Sequence, residues 1–506
     1  MKTIEINHQQ KYYRIWEIFP GFCTWFIFVM AIVLSIYASK LFASLIIIYA
    51  VYWLLKALIM SIRLIVGYKQ YKENISMDWL KKCKNNVKNW EDVYHVVITA
   101  TYKESFETLK YSLESICKAN YPSKKIIFVL ATEGRAKEIG RNNAKKLMNI
   151  FGSRFFHFAH IEHPANLPNE VVGKGANITY AAKEILKFID AKKIPHDNVV
   201  VTTLDADHRP DRQYFAVLTY KYLLSNNRTH KSYQPLPMFL NNIWDVPIVI
   251  RSISLGSSFW HMTEATRPRW LRNFAAHAQP LSGLIETNFW SKLTIVEDGH
   301  QYWRSFFTFD GKYSVVPLHI PIYQDAVLSP KGYFSTFSEQ YLQFKRWAWG
   351  ASDIAYVVTS SIKNKQIPFY SKFTKIIRLT EGCLSWSTTS IILFFAGWLP
   401  FFVNPNFVHS VTAFNFPLIY SRILAIAMIG MIITLIISTL LLPARPHKSK
   451  NISVIIEWII TPFILPFSNI IFSAIPAIHA QTLLAMGKYM DYRVTEKKAV
   501  KYETSD

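Results

Sequence analysis

The sequence predicts an α/β domain inserted between α-helical transmembrane hairpins. Three observations carry that expectation. Long apolar blocks almost free of charge lie toward both ends of the chain. Between them, short runs rich in valine, isoleucine and threonine alternate with helical stretches. Lysine and arginine crowd the flanks of the apolar blocks. The chain has 506 residues, 51% hydrophobic and 18% charged, so more than one structural unit is expected.

The first apolar block is Gly21 to Ser39, without a charge. About 20 apolar residues cross a bilayer as a helix. A second block from Leu41 to Ile62 follows at once, so a cleaved signal peptide is a poor reading. It contains only Lys56, near enough to its end to snorkel to the interface. A helical hairpin with a very short turn is expected over 17–66. Two further uncharged blocks run from Gly382 to Val403 and from Ile423 to Leu442. They predict a second hairpin over 381–443, joined by a loop around Asn404.

Lysine and arginine (57) exceed aspartate and glutamate (34), giving a net charge of +23. Such an excess suits nucleic acid, phosphorylated ligands or an anionic membrane. Its placement favours the membrane and argues against a nucleic-acid partner. Lys69, Lys72, Lys81, Lys82, Lys84 and Lys88 follow the second block, and Arg445, Lys448 and Lys450 follow the fourth. The connecting loop, NPNFVHSVTAFNFPLIYS, has no lysine or arginine. Basic loops stay in the cytoplasm, so the central region is expected there, in a multi-pass protein of the cell membrane.

Residues 452–486 are apolar but contain Glu457, Pro462, Pro466 and Pro476. Proline breaks a straight helix, and the tail 487–506 is again basic. A proline-broken hairpin is expected, with both ends cytoplasmic. Interfacial helices are expected over 351–380. The four cysteines form no CxxC pair, so no zinc or redox motif is signalled.

The region 90–350 carries three strand-like runs that end in polar residues: VYHVVITATYKE, KKIIFVLATEGR and NVVVTTLDAD. FETLKYSLESICKAN and NITYAAKEILKFIDA read as helices between them. This alternation predicts a largely parallel sheet covered by helices. Ligands of such sheets bind beyond the carboxyl ends of the strands. The chemistry is therefore sought at Asp205 and Asp207, two apart on an extended strand and able to share a divalent cation. An acidic pair alone is as easily a turn or cap before Pro210. Glu297 and Asp298 alone would read as acids at a helix start. Gln343, Arg346 and Trp347 share a helix face, which alone would read as a helix lying on the membrane.

The ordered set is more specific than its parts. DAD at Asp205–Asp207, ED at Glu297–Asp298 and QFKRW from Gln343 to Trp347 lie in order between membrane spans. In this the chain resembles the membrane-embedded family 2 glycosyltransferases, which include cellulose, chitin and hyaluronan synthases. The resemblance covers about Val96 to Gly350. ITATYKES, with Thr101, Tyr102 and Glu104, is similar to the family's first-strand turn, although Lys103 stands where asparagine is common. VVGKGANITYAA resembles its glycine–lysine segment and makes Lys174 a diphosphate contact. One departure is Glu133 in LATEGR, where the family usually has aspartate.

The resemblance implies a GT-A-type Rossmann-like domain and inverting transfer of a sugar, from a nucleotide-sugar such as a UDP-sugar, to a growing glycan. It implies Mg²⁺ or Mn²⁺ at Asp205 and Asp207, and Asp298 as general base. Thr101, Tyr102, Glu104, Glu133, Lys174, Asp205 and Arg346 would bind the donor, and Gln343, Trp347 and Glu297 the acceptor. His208 and His300 adjoin the acidic motifs and are expected beside the site or at the surface. Two other readings compete: single-sugar transfer to a lipid carrier, and a nucleotide-binding transporter. QxxRW weighs against the first, and the lack of a GxxxxGK[ST] loop against the second.

Overall fold

The computed structural model describes residues 6–444, 451–493 and 495. The basic segment at Arg445, Lys448 and Lys450, and Lys497, Lys498 and Lys501 of the tail, lie outside the described residues.

Among the described residues, eight strands form one sheet. They are β1 (Tyr94–Thr101), β2 (Ile126–Glu133), β3 (His157–His163), β4 (Val199–Asp205), β5 (Arg209–Pro210), β6 (Lys231–Met238), β7 (Ala278–Pro280) and β8 (Ser314–Tyr323). Their order is β3-β2-β1-β4-β7-β6-β8-β5. The first four are parallel, as the strand–helix alternation predicts. Beyond β4 the sheet is mixed: β7 is antiparallel to both β4 and β6, β6 is parallel to β8, and β5 is antiparallel to β8. The largely parallel expectation therefore holds for one half. The other half is built from segments too short or too proline-rich to show a strand period. Proline cannot donate to a ladder, and the register of β6 on β8 shifts between Gln234 and Leu236, around Pro235.

Period-two alternation sorts β1 onto two cores. Val97 packs with Phe128, Leu130 and Val200 beneath the helices Phe106–Cys117, Glu138–Phe151 and Tyr214–Leu224. Val96 and Ile98 face the other side, against Ile178, Ala182 and Ile185 of the helix Lys174–Ala191. Both sheet faces are thus buried, and polar chemistry is confined to strand ends.

Among the described residues, five helices are long and apolar enough to cross a membrane: Lys11–Tyr37, Ser39–Ser76, Phe369–Val403, Val411–Leu441 and Ile459–Ala485. The first two join through Ala38 alone, the short turn expected. Much of the expected loop around Asn404 is helical, because Ser410 caps a helix that starts at Val411 rather than Ile423. Helix Asp353–Lys363, in the segment expected to be interfacial, is buried within the protein. Ile354, Ala355 and Val357 pack against Tyr302, Trp303 and Phe306.

The expected hairpin over 452–486 is replaced by one helical path. Helix Asn451–Asn469 passes through a π-turn at Ile470–Ala474 into helix Ile475–Ala485 without an intervening loop. A π-turn, like proline, bends a helix without reversing the chain. Close backbone contacts tie the sheet domain to the long helices. A Cβ on Gly67 would lie 2.8 Å from the Met262 carbonyl oxygen, so the helices Ser39–Ser76 and Ile248–Ala265 meet through glycine.

Candidate active site

Five polar side chains from four separate segments gather beyond the carboxyl ends of the parallel strands. Lys174 opens the helix Lys174–Ala191, and Asp205 ends β4. Glu297 and Asp298 open the helix Glu297–Thr308, and Arg346 closes the helix Tyr333–Ala348. Lys174 Nζ lies 2.5 Å from Asp205 Oδ1 and 3.8 Å from Glu297 Oε1. Gly175 makes this approach possible: a Cβ there would lie 2.4 Å from the Ser291 carbonyl oxygen and 3.0 Å from Glu297 Cβ.

The electrostatics follow from burial. Burial pulls the Lys174 ammonium down, but Asp205 and Glu297 outweigh it and hold the group above its usual range. Burial pushes the Glu297 carboxyl up to about 7 against the pull of Lys174, with Asp298 and Asp205 adding to the rise. The Asp298 carboxyl is also raised by burial, although Lys174 and the Gly299 N–H oppose the shift. These acids therefore have more proton affinity than ordinary surface carboxyls.

The DAD pair divides its labour. The Asp205 side chain is 40% exposed and faces Lys174. Asp207 is buried, and its Oδ2 accepts a 2.9 Å bond from the Asp325 N–H. Asn241 Nδ2 donates to the Asp207 carbonyl (3.1 Å) and to Asp325 Oδ1 (2.8 Å). His208 is buried, not superficial: Nδ1 accepts from the Asp205 N–H at 3.1 Å, and Nε2 donates to Gln324 Oε1 at 2.7 Å. His300 is buried too, with Nδ1 2.7 Å from Asp353 Oδ1. Among the described residues, no three His, Cys, Asp or Glu side chains converge as a metal cage. Mg²⁺ commonly needs only one or two carboxylates, with substrate phosphates completing its shell. The half-exposed Asp205 beside Asp207 fits that chemistry.

The first-strand turn is closed on itself. Glu104 Oε2 accepts from Thr101 Oγ1 (2.7 Å) and from the Tyr102 N–H (2.6 Å). Burial raises the Glu104 carboxyl despite these bonds, and Asp207 adds to the rise. Glu133 at the end of β2 is paired with Arg135, whose guanidinium also lies 4.9 Å from the Tyr102 ring centre. Thr101, Tyr102, Glu104, Glu133 and Arg135 thus form one wall.

On the helix Tyr333–Ala348, Gln343 is buried and accepts from Gln340 Nε2 at 3.4 Å. Trp347 packs between Phe344 and Phe239, with ring centres 4.9 and 5.9 Å away. Gln343, Arg346 and Trp347 stand three and four apart on this one helix, with Gln343 against Gln340 and Trp347 in an aromatic cluster.

Sequence reasoning missed the C-terminal strap. Arg14 donates to the Leu484 and Ala485 carbonyls at 2.7 and 2.6 Å, closing the helix Ile475–Ala485. Gly487 then turns the chain at φ +73°, a left-handed conformation that suits glycine after a helix end. The chain returns over the site. The Tyr492 ring centre lies 5.2 Å from the Arg346 guanidinium, and the ring packs on Gly173. Arg346 donates to the Arg493 carbonyl at 3.1 Å, and Arg493 pairs with Glu339 at 2.5 Å. Nothing in the composition of a basic tail announces this placement. Asp325 was more legible, since it ends the apolar run PLHIPIYQD just as Asp205 ends VVVTTLD.

No family model and no curated protein matches the chain. Solved structures do match it. The mannosyltransferase PcManGT from Pyrobaculum calidifontis, in complex with GDP-Man and Mn²⁺, is 13% identical, with a TM-score of 0.39 over 74% of this chain and 99% of that one. S. aureus TarS 1-349 is 9% identical, with a TM-score of 0.37 over 82% of this chain and 98% of that one. GalNAc-T7 with UDP, GalNAc and Mn²⁺ is 11% identical, with a TM-score of 0.32 over 57% of each chain. TM-scores this low do not establish a shared fold, so the functional reading rests on the site's own residues.

Proposed function

We propose that the chain is a membrane-embedded, inverting glycosyltransferase that moves a sugar from a nucleotide-sugar, first among them a UDP-sugar, onto a glycan acceptor. One observation carries the reading. Lys174, Asp205, Glu297, Asp298 and Arg346, from four segments far apart in sequence, converge in one polar pocket, and each belongs to one of the resembled motifs.

Sugar transfer makes two demands: charge on the leaving diphosphate must be neutralised, and the acceptor hydroxyl must lose a proton. Lys174 and Arg346 answer the first as preorganised cations in a buried site. Asp205 and Asp207 would hold Mg²⁺ or Mn²⁺, which when bound adds positive charge at the same oxygens. Asp298 answers the second demand. The acceptor oxygen forms its bond to the anomeric carbon while the carbon–oxygen bond to the diphosphate breaks. The bonding pair leaves with the diphosphate, and the hydroxyl proton passes to Asp298. The elevated proton affinity of the Glu297–Asp298 pair suits a base near neutral pH. The wall of Thr101, Tyr102, Glu104 and Glu133 is assigned to the nucleotide, and Trp347, Gln343 and Glu297 to the acceptor side.

The basic flanks of the apolar helices support a cytoplasmic location for this domain at a cell membrane. The test is a donor screen on detergent-purified protein, reading nucleoside diphosphate released from each nucleotide-sugar. Release from one donor, lost on Asp205→Ala and in EDTA, is the expected result. No release from any donor, together with ligand transport in vesicles, would replace the reading with a transporter. Product limited to one sugar on a lipid would narrow it to a lipid-carrier transferase.

A further inference from the structure

A second polar cavity lies away from the acidic site, where the helix Phe369–Phe395 meets the sheet domain. Its volume is about 220 Å³, and Arg269, Trp270, Tyr302, Tyr313, Thr374 and Lys375 are among the residues that line it. Three cations crowd one indole. The Trp270 ring centre lies 5.4 Å from the Arg269 guanidinium, 5.3 Å from that of Arg378 and 5.9 Å from Lys375 Nζ. Glu264 is the carboxylate at hand, and it is already shared between Arg267 (2.9 Å) and Arg378 (3.3 Å). Among the described residues, no carboxylate pairs with Arg269 or Lys375. Lys375 instead donates to the Tyr302 hydroxyl at 2.5 Å. Like charges held this close repel one another unless an anion joins them.

The helix that carries Lys375 has two faces. Ser371, Thr374 and Lys375 line the cavity, and Arg378, three residues beyond Lys375, lies against Trp270 on the same side. Phe369, Phe373 and Ile377 form the other stripe, 76%, 47% and 50% exposed. This is the start of a candidate membrane span. A basic, hydroxyl-bearing pocket beside an outward apolar stripe matches a phosphate with hydrocarbon attached.

We propose that this cavity binds the phosphate headgroup of an anionic membrane lipid, with Arg269 and Lys375 as the cationic contacts, Arg378 adding charge across Trp270, and the acyl chains passing around the helix to the exposed stripe of Phe369, Phe373 and Ile377. The site shares no residue with the candidate active site. Tyr302 nevertheless lies on the helix that begins with Glu297 and Asp298, so an occupied cavity would brace that helix from behind. The inference rests on the helices being membrane spans, not on sugar transfer.

The test uses the full chain in mild detergent, incubated with phosphatidylglycerol, phosphatidylcholine or soluble glycerol phosphate. Retained lipid is read by native mass spectrometry, and the thermal midpoint alongside it. Phosphatidylglycerol should be retained and should raise the midpoint, and the other two should do neither. Arg269→Gln and Lys375→Gln should each weaken retention about fivefold, the equivalent of about 1 kcal/mol per surface cation. Lys375→Arg should preserve it. Arg269 is exposed, so Arg269→Gln alone tests the site if the Lys375 variant fails to fold. Undiminished retention by Arg269→Gln, or equal retention of phosphatidylcholine, overturns the proposal. Protection by soluble glycerol phosphate equal to that by the lipid overturns the lipid as its source. Nucleotide-sugar turnover on the same preparations reports separately on the active site.

Discussion

The Lys174 ammonium sits 2.5 Å from the Asp205 carboxylate, at the junction of a helix start and a strand end. A buried cation that bridges two acids holds the pocket together before any ligand arrives. Lys174→Met should therefore act twice. Removing one preorganised charge should cost about 10²–10³ in turnover. It should also lower thermal stability, because Asp205 and the buried Glu297 lose their shared partner. Turnover and midpoint measured on one preparation check both. Normal turnover would remove Lys174 from the donor site.

Asp298→Asn keeps size and loses basicity. Turnover should fall by about 10²–10⁴, with nucleoside-diphosphate affinity nearly unchanged. Calorimetric affinity beside a rate assay separates the outcomes. A collapse in affinity would move Asp298 into the donor site.

Acid should switch the proposed transfer off at a higher pH than an ordinary carboxylate would. Burial raises Glu297 from 4.5 to about 7, so the pair takes up a proton as pH falls through that value. The rate should rise with pH up to about 7 and then level. In Glu297→Gln the limb near 7 should be lost, leaving the buried Asp298, still raised by its burial, to set the acid side. The same shift makes folding stability decline as pH rises from 4.5 to about 7, since the native state holds the proton more tightly. A pH–rate profile that is flat from 5 to 8 (both about one unit or more from the expected midpoint) would contradict the raised acid.

Tyr492 covers the cation that a diphosphate would need. A guanidinium–ring contact is worth about 0.5–2 kcal/mol. Tyr492→Ala should therefore tighten nucleoside-diphosphate binding, by about 2- to 30-fold on that scale. Weaker binding would mean that the ring closes over the nucleotide instead of excluding it.

Local chemistry made much of this legible from the residues alone. Apolar length marked the helical blocks, because a bilayer demands about 20 residues in a row. Val97 and its neighbours announced a strand through their period, and the polar residues after β2 and β4 marked the edge where the site lies. Residues such as Asp205, Glu297 and Arg346 stood out through their order along the chain. The fate of each side chain was not legible in the same way. Asp205 and Asp207 are two apart, yet one faces Lys174 and the other the Asp325 backbone, because the chain turns immediately after β4. Gln343 turns inward to Gln340 while Arg346, three residues on, meets Tyr492. The prolines of 452–486 bend a helix that neighbouring helices hold together, so the expected reversal does not form. Periodicity and motif spacing are short-range properties of the chain. Which distant segments meet depends on how whole elements pack, and that is where the meeting of Lys174, Glu297 and Tyr492 was settled.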